Sequence, residues 1–223
     1  MVRKRVATVM STGGCIVPHV LVLPAQPRRA DIVAMPDLVA PDTTRRYTVD
    51  EVLAFPEDGK RYELVRGELL VTPAPAQRHE IVLVRLVAQM SAYLAPLADV
   101  AQMFFSRGDV IWGPEEYVQP DVFVVPAKDV TGNWRDCQHL VLAVEVVSPS
   151  SARADRVKKR LLYQQRGVAT YGVADPDARV VEVWRPNDAR PEIVTDALHW
   201  RVTSDTPQLT IDLDDLFAKL PQG

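Results

Sequence analysis

Organised patterning along this chain begins only after Asp42. Thr48-Val-Asp-Glu51 sets a hydroxyl residue three positions ahead of a Glu, the spacing of a capping box, and predicts a short helix over Val49 to Ala54 that Pro56 and Gly59 stop. Arg61 to Thr72 reads as two strands about a tight turn at Arg66-Gly67, closed by Pro73 and Pro75. From Ala76 to Ala95 the residues Leu83, Val87, Met90 and Leu94 recur at spacings of four, three and four, which puts them on one helical face against a sheet. β-Prone segments follow at Val100 to Phe105 and Asp109 to Trp112, with Gly108 as the turn residue.

Two apolar runs come next, Asp121-Val-Phe-Val-Val125 and Leu140-Val-Leu-Ala-Val-Glu-Val-Val147. Strands apolar on both faces are central in their sheet. Ser148-Pro-Ser-Ser151 breaks the second run and supplies an N-cap for a charged helix over Ala152 to Gln165, ending near Gly167. Thr170 to Ala174 and Val180 to Arg185 form a further strand pair about Asp175-Pro-Asp-Ala-Arg179, a turn that Pro and Asp preset. The remainder carries β-prone segments at Ile193 to Thr195 and Trp200 to Thr203 and a helix around Leu213 to Leu220. Strands interleaved with helices predict an α/β fold with a central mixed sheet flanked by helices.

One residue breaks this pattern. Counted with a period of two, Glu145 shares a strand face with Val141, Ala143 and Val147, a lone acid on an apolar surface. An ionised carboxylate there costs roughly several kcal/mol unless it is paired or bound to a cation. Asp121 opens the preceding strand directly after Pro120, so adjacent pairing of the two strands brings both carboxylates to one end. Oxygen ligands of this kind, with water completing the shell, suit Mg²⁺ or Mn²⁺. Each residue also has an ordinary reading. Asp after Pro is common turn chemistry, Glu145 can be buried against an Arg, and Lys159 stands four positions from Asp155, the spacing of an ion pair on a solvated helix face.

Composition narrows the class without choosing a partner. The 223 residues are 47% hydrophobic and 25% charged, ordinary globular values, and 26 Lys plus Arg against 29 Asp plus Glu do not announce a nucleic-acid binder. One domain over 45–223 is expected, after a leader, 1–44, that is disordered or lies upstream of a true start such as Met35. Ser11, Thr12, Gly13 and Gly14 interrupt the apolar stretch behind Met1-Val-Arg-Lys-Arg5, so neither a secretory signal nor a membrane span is expected. Cys15 and Cys137 lack a CxxC partner and fit a reducing cytoplasm rather than a zinc or disulfide framework.

Pro120-Asp121 followed by Glu145 in a hydrophobic strand resembles the PD-(D/E)XK nuclease superfamily, in which the acids are followed two positions later by a catalytic Lys. Val147 occupies that position here, and one subgroup of the superfamily relocates its Lys to the following helix. That subgroup, the Uma-two family of restriction-endonuclease-like proteins, is resembled over about Tyr47 to Arg185: Arg61-Tyr-Glu-Leu-Val-Arg-Gly-Glu-Leu69, His79 opening the long helix, Val144-Glu-Val-Val-Ser-Pro-Ser150, Asp155-Arg-Val-Lys-Lys-Arg-Leu-Leu-Tyr163, Gly167-Val-Ala-Thr-Tyr171 and Val181-Glu-Val-Trp184. The family Lys falls on Lys159 rather than Lys158, and the family's leading Glu on Glu63.

The resemblance implies a restriction-endonuclease-like fold and metal-assisted hydrolysis of phosphodiester bonds in DNA. Asp121 and Glu145 would hold Mg²⁺ or Mn²⁺, and Lys159 would orient the attacking water or stabilise the pentavalent transition state. Glu63 would act through water or a second ion and His79 on a phosphate or by positioning a ligand, while Tyr163 reads as packed under its helix, with contact to substrate from the site edge as the alternative the resemblance implies. A homodimer is expected, because cutting both strands of a duplex usually needs two sites. The alternative is a catalytically inactive nuclease fold that binds nucleic acid or a partner; it is distinguished by whether Asp121, Glu145 and Lys159 converge.

Overall fold

The computed structural model describes residues 42–106 and 108–221; the 1–44 leader therefore falls almost wholly outside the described residues. Thr48 accepts from the Glu51 N–H while the Glu51 carboxylate accepts from the Thr48 N–H, closing both halves of the capping box on α1 (Val49–Leu53). β1 (Arg61–Val65) and β2 (Glu68–Thr72) pair antiparallel about Arg66 and Gly67, whose φ values of 53° and 77° give the turn with two left-handed residues that matches strand twist. α2 (Gln77–Leu94) buries Val82, Leu83, Leu86, Met90 and Leu94. By length and composition the stretch Gln77–Leu97 is also apolar enough to cross a membrane; here that face lies in a core cluster with the strands of a sheet.

That sheet has six strands. β3 (Ala101–Phe105), β6 (Val122–Pro126), β7 (Leu142–Val146), β8 (Tyr171–Asp175), β9 (Val180–Trp184) and β10 (Glu192–Val194) stand in the order β10-β9-β8-β7-β6-β3. Only β7 and β8 run parallel, and the helical crossover such a pair requires is the segment carrying Asp155, Lys159 and Tyr163. β4 (Val110–Gly113) and β5 (Glu116–Val118) complete a second sheet in the order β2-β1-β5-β4, and β11 (Ala197–Trp200) pairs with β12 (Leu209–Asp212) ahead of α4 (Leu213–Leu216).

Two cores flank the six-stranded sheet. Val122, Val124, Leu142, Val144 and Val146 meet α2 and the carboxy-terminal Ile211, Leu216 and Phe217 on one face. On the other, Phe123, Val125, Ala143 and Val173 meet Leu162, Tyr163 and residues of the four-stranded sheet such as Val65 and Val118. The strict alternation along β7 is the one the period of two predicts, and it turns Glu145 toward the second core.

Three local expectations are corrected. The regular helix expected over Ala152 to Gln165 is wound as a π-helix at Ala154–Lys159 before α3 (Arg160–Gln165) resumes the ordinary pitch. β5 and β12 were not expected, being runs of three and four residues beside turns, and the strand expected at Trp200 to Thr203 lies earlier, at β11. Gly108 does not supply a left-handed turn. A Cβ there would sit 2.5 Å from the Phe123 ring, so glycine is needed for close approach, while the left-handed residue at the end of β3 is Ser106 at φ 53°.

Candidate active site

All six buried charged side chains among the described residues belong to one cluster: Glu63, His79, Asp121, Glu145, Asp155 and Lys159, none more than 6% exposed. Its first half forms where β6 meets β7. Val122 lies opposite Val144, so Asp121, one residue before β6, comes up beside Glu145, and Asp121 Oδ2 accepts the backbone N–H of Val146 at 2.9 Å. The same oxygen is 2.9 Å from His79 Nε2, projected from the first turn of α2. Asp121 Oδ1 accepts from Arg61 Nη2 at 2.9 Å, and Arg61 Nη1 donates to the Gln119 carbonyl at 3.1 Å while lying 4.0 Å from Glu145 Oε2.

Lys159 organises the other half. Its ammonium lies 2.7 Å from Glu63 Oε2, 3.0 Å from Glu145 Oε1 and 3.4 Å from Asp155 Oδ1, one cation among three carboxylates, and it donates a hydrogen bond to Glu145 Oε1. Tyr163 donates its hydroxyl to Glu145 Oε1 at 3.0 Å, and Glu63 Oε1 accepts the Gln119 N–H at 2.8 Å. Asp155, Lys159 and Tyr163 follow one another at intervals of four on the crossover, and the Tyr171 hydroxyl bonds the Asp155 carbonyl at 3.0 Å inside the π-helical turn. A π segment at such a place is common where a helix must aim side chains at a site.

An open cleft of about 310 Å³ reaches this cluster, walled by Arg61, His79, Asp121, Glu145, Asp155 and Lys159 and lipped by Ser148, Ser150 and the prolines of 73–75. Electrostatically it is unbalanced. Four carboxylates face the permanent charges of Arg61 and Lys159 and the imidazole of His79. Burial, reinforced by the neighbouring acids against the pull of Lys159, raises Glu145 well above the usual carboxylate range, and Asp155 is raised for the same reasons. Burial also opposes ionisation of Asp121, but the His79 hydrogen bond and Arg61 outweigh it and lower the group to about 2. Burial works against the charge on Lys159, but Glu145, Glu63 and Asp155 overcome it and hold the amine charged well above its ordinary range.

The structure thus brings Asp121, Glu145 and Lys159 to one cleft and groups the other expected residues around them. Tyr163 packs under its helix, the first of its two readings, fully buried behind Glu145 with its ring 4.6 Å from that of Tyr171, and not at the site edge against substrate. Glu63 is 0% exposed and holds Lys159, so as placed it is closed to a second ion. His79 lies 2.9 Å from Asp121 Oδ2, the position of the positioning group among its expected roles. The pair of Lys159 with Asp155 exists but is buried, not solvated. The basic run at Lys158 splits: Lys158 bonds Glu68, Lys159 enters the cluster, and Arg160 stacks on Trp184 at 4.7 Å. Sequence reasoning did not single out Arg61 as a site residue, nor Asp155 beyond its i+4 pairing with Lys159. The signals were there: Arg61 shares the inward face of β1 with Glu63, and Asp155 shares a helix face with Lys159 and Tyr163.

Among the described residues, no group of three or more His, Cys, Asp or Glu side chains is arranged to hold a metal ion. What the fold and the cleft define is a restriction-endonuclease-like α/β protein with an acid pair and a lysine at the end of its central strands. The chain belongs to the Uma2 family, described as "Putative restriction endonuclease", which it matches over residues 49–214. Among solved structures it is similar to "a putative nuclease belonging to DUF820" from Anabaena variabilis ATCC 29413, with 22% identity, a TM-score of 0.66, and coverage of 78% of this chain and 99% of that one. No curated protein matches it.

Proposed function

We propose that the protein is an endonuclease that hydrolyses phosphodiester bonds in DNA with the help of Mg²⁺ or Mn²⁺. The observation that carries this reading is the convergence of Asp121, Glu145 and Lys159 at the floor of an open cleft in which carboxylates outnumber cations. Membership of a family described as restriction endonucleases supports it.

The donor set fits a hard divalent cation: Asp121 and Glu145 offer carboxylate oxygens, and a doubly charged ion beside them would favour the ionised form that burial opposes at Glu145. When bound, the ion would acidify water and polarise a phosphoryl oxygen. The chain's own residues do the rest. His79 and the Val146 N–H hold Asp121 ionised and oriented. Tyr163 and Lys159 hold Glu145 through the same oxygen, Oε1, leaving Oε2 toward Arg61. Lys159, charged and anchored by Glu63, presents a fixed cation at the cleft wall; its contact with Asp155 is the longest of the three and the one it can exchange for a water or a phosphate oxygen. The Ser148 and Ser150 hydroxyls at the lip suit backbone phosphate contacts without base choice. Cutting a duplex with one such centre per chain calls for a homodimer, which light scattering tests.

Supercoiled plasmid with Mg²⁺ or Mn²⁺ is the direct assay. The parent protein nicks it, and Glu145→Gln and Lys159→Ala each lose that activity. Equal cleavage by the substituted proteins, or binding of plasmid by the parent without any nicking, overturns the hydrolytic reading.

A further inference from the structure

Arg61 stands where it competes with a bound cation. Its guanidinium donates to Asp121 Oδ1 at 2.9 Å and to the Gln119 carbonyl at 3.1 Å, and its other edge lies 4.0 Å from Glu145 Oε2. It therefore lies against both carboxylates that would ligate the ion. The two basic side chains of the site differ in their freedom. Lys159 is 4% exposed and held by three acids, whereas the Arg61 side chain is 18% exposed and forms part of the cleft wall.

We propose that Arg61 is a stand-in cation: it neutralises the Asp121–Glu145 pair while no divalent ion is there, gives up Asp121 Oδ1 when one enters, and turns its guanidinium into the cleft to take a substrate phosphate. The inference rests on the metal-dependent nuclease reading. His79 already faces Asp121 and Lys159 faces Glu145, whereas Arg61 lies against both acids, so in the ion-free protein it bridges the pair of carboxylates that a divalent ion would join. Exchange of one guanidinium for a doubly charged ion adds positive charge to a cleft with an excess of carboxylates, and the incoming ion repels the guanidinium. The displaced group is a planar fork of donors that matches a phosphate bidentately, and β1 already holds it at the wall beside the Ser148 and Ser150 hydroxyls.

The test is Mn²⁺ binding, followed by electron paramagnetic resonance, in the parent, Arg61→Gln and Arg61→Lys, together with binding of a phosphorothioate oligonucleotide in Ca²⁺ by fluorescence anisotropy. Loss of a competing charge-assisted hydrogen bond tightens Mn²⁺ binding by about tenfold in Arg61→Gln and weakens the oligonucleotide. A purely structural Arg61 predicts weaker Mn²⁺ binding instead, and equal or weaker Mn²⁺ binding overturns the proposal. Tighter Mn²⁺ with unchanged oligonucleotide affinity overturns its phosphate half. Should Arg61→Gln not fold, Arg61→Lys decides, because an ammonium cannot span Asp121 and the Gln119 carbonyl as the fork does, so its Mn²⁺ affinity must also rise. If the folded parent and all variants fail to bind Mn²⁺, the metal reading itself is wrong and Arg61 has nothing to compete with.

Discussion

Val146 donates its backbone N–H to Asp121 Oδ2 at 2.9 Å, so the residue after Glu145 in the chain fixes the carboxylate that opposes it across the sheet. The two acids are thereby registered by main chain rather than by side-chain packing alone. A slip of one residue between β6 and β7 would turn Glu145 to the α2 face and unpair Asp121 together.

Removing that acceptor tests the arrangement. Asp121→Ala strands the Val146 N–H, the His79 ring and the Arg61 guanidinium, and leaves Glu145 with less opposing structure. A loss of about 3–5 kcal/mol is expected from urea unfolding, with Asp121→Asn losing less because it keeps one oxygen. A loss for Asp121→Ala no larger than that of an ordinary surface change would show that the buried network is not formed.

His79 gives a pH signature. Burial of its ring opposes the charge, but the contacts with Asp121 and Glu80 outweigh burial and raise the group above its ordinary 6.5. A raised histidine stabilises the fold fully below its unfolded value, and that contribution is lost as pH climbs through the folded value. Asp121, lowered to about 2, stays ionised throughout, so the change belongs to the imidazole. The melting-temperature gap between the parent and His79→Gln should be widest below about pH 6.5 and narrow above it. A gap independent of pH would place the ring outside the Asp121 contact.

Tyr163→Phe removes one hydroxyl and keeps the packed ring. Stability should fall by about 1–2 kcal/mol, measured by thermal or urea melts. In plasmid cleavage kcat should fall while KM holds, because the hydroxyl orients Glu145 from behind and touches no substrate. A change in KM alone would return Tyr163 to the cleft edge.

Gly108→Ala places a methyl 2.5 Å from the Phe123 ring, which is itself fully buried and packed against Phe104 at 5.4 Å and Trp134 at 6.2 Å. Overpacking should cost about 1–3 kcal/mol and perturb Trp134 fluorescence. A neutral substitution would mean that the aromatic group yields easily.

The parts of the fold legible in the sequence were those with a local cause. The Thr48–Glu51 box, the Arg66-Gly67 turn and the face of α2 declare themselves within a few residues, and each is found where its spacing places it. Glu145 was legible because an acid in the middle of an apolar strand has few physical solutions. The features that escaped depend on the approach of distant segments. Arg61 is separated from Asp121 by 60 positions, and only the meeting of the two sheets explains its charge. Tyr163 packs under its helix as read, but periodicity gives the face a side chain takes and not its partner on another strand, so the bond to Glu145 Oε1 was not legible. The π winding has no local signal either; it is maintained by contacts such as Tyr171 with the Asp155 carbonyl.

That wide turn carries a vulnerability of its own. A π segment holds more backbone than the regular spiral needs, so loss of a single residue between Ala154 and Lys159 lets the spiral tighten without breaking the chain. The turns on either side would keep nearly the same bearing, but Asp155 and Lys159 would stand three positions apart instead of four, which shifts the acid relative to the ammonium while leaving helix content nearly intact. Such a shortened protein would look folded by circular dichroism and yet have the Asp155–Lys159 contact altered.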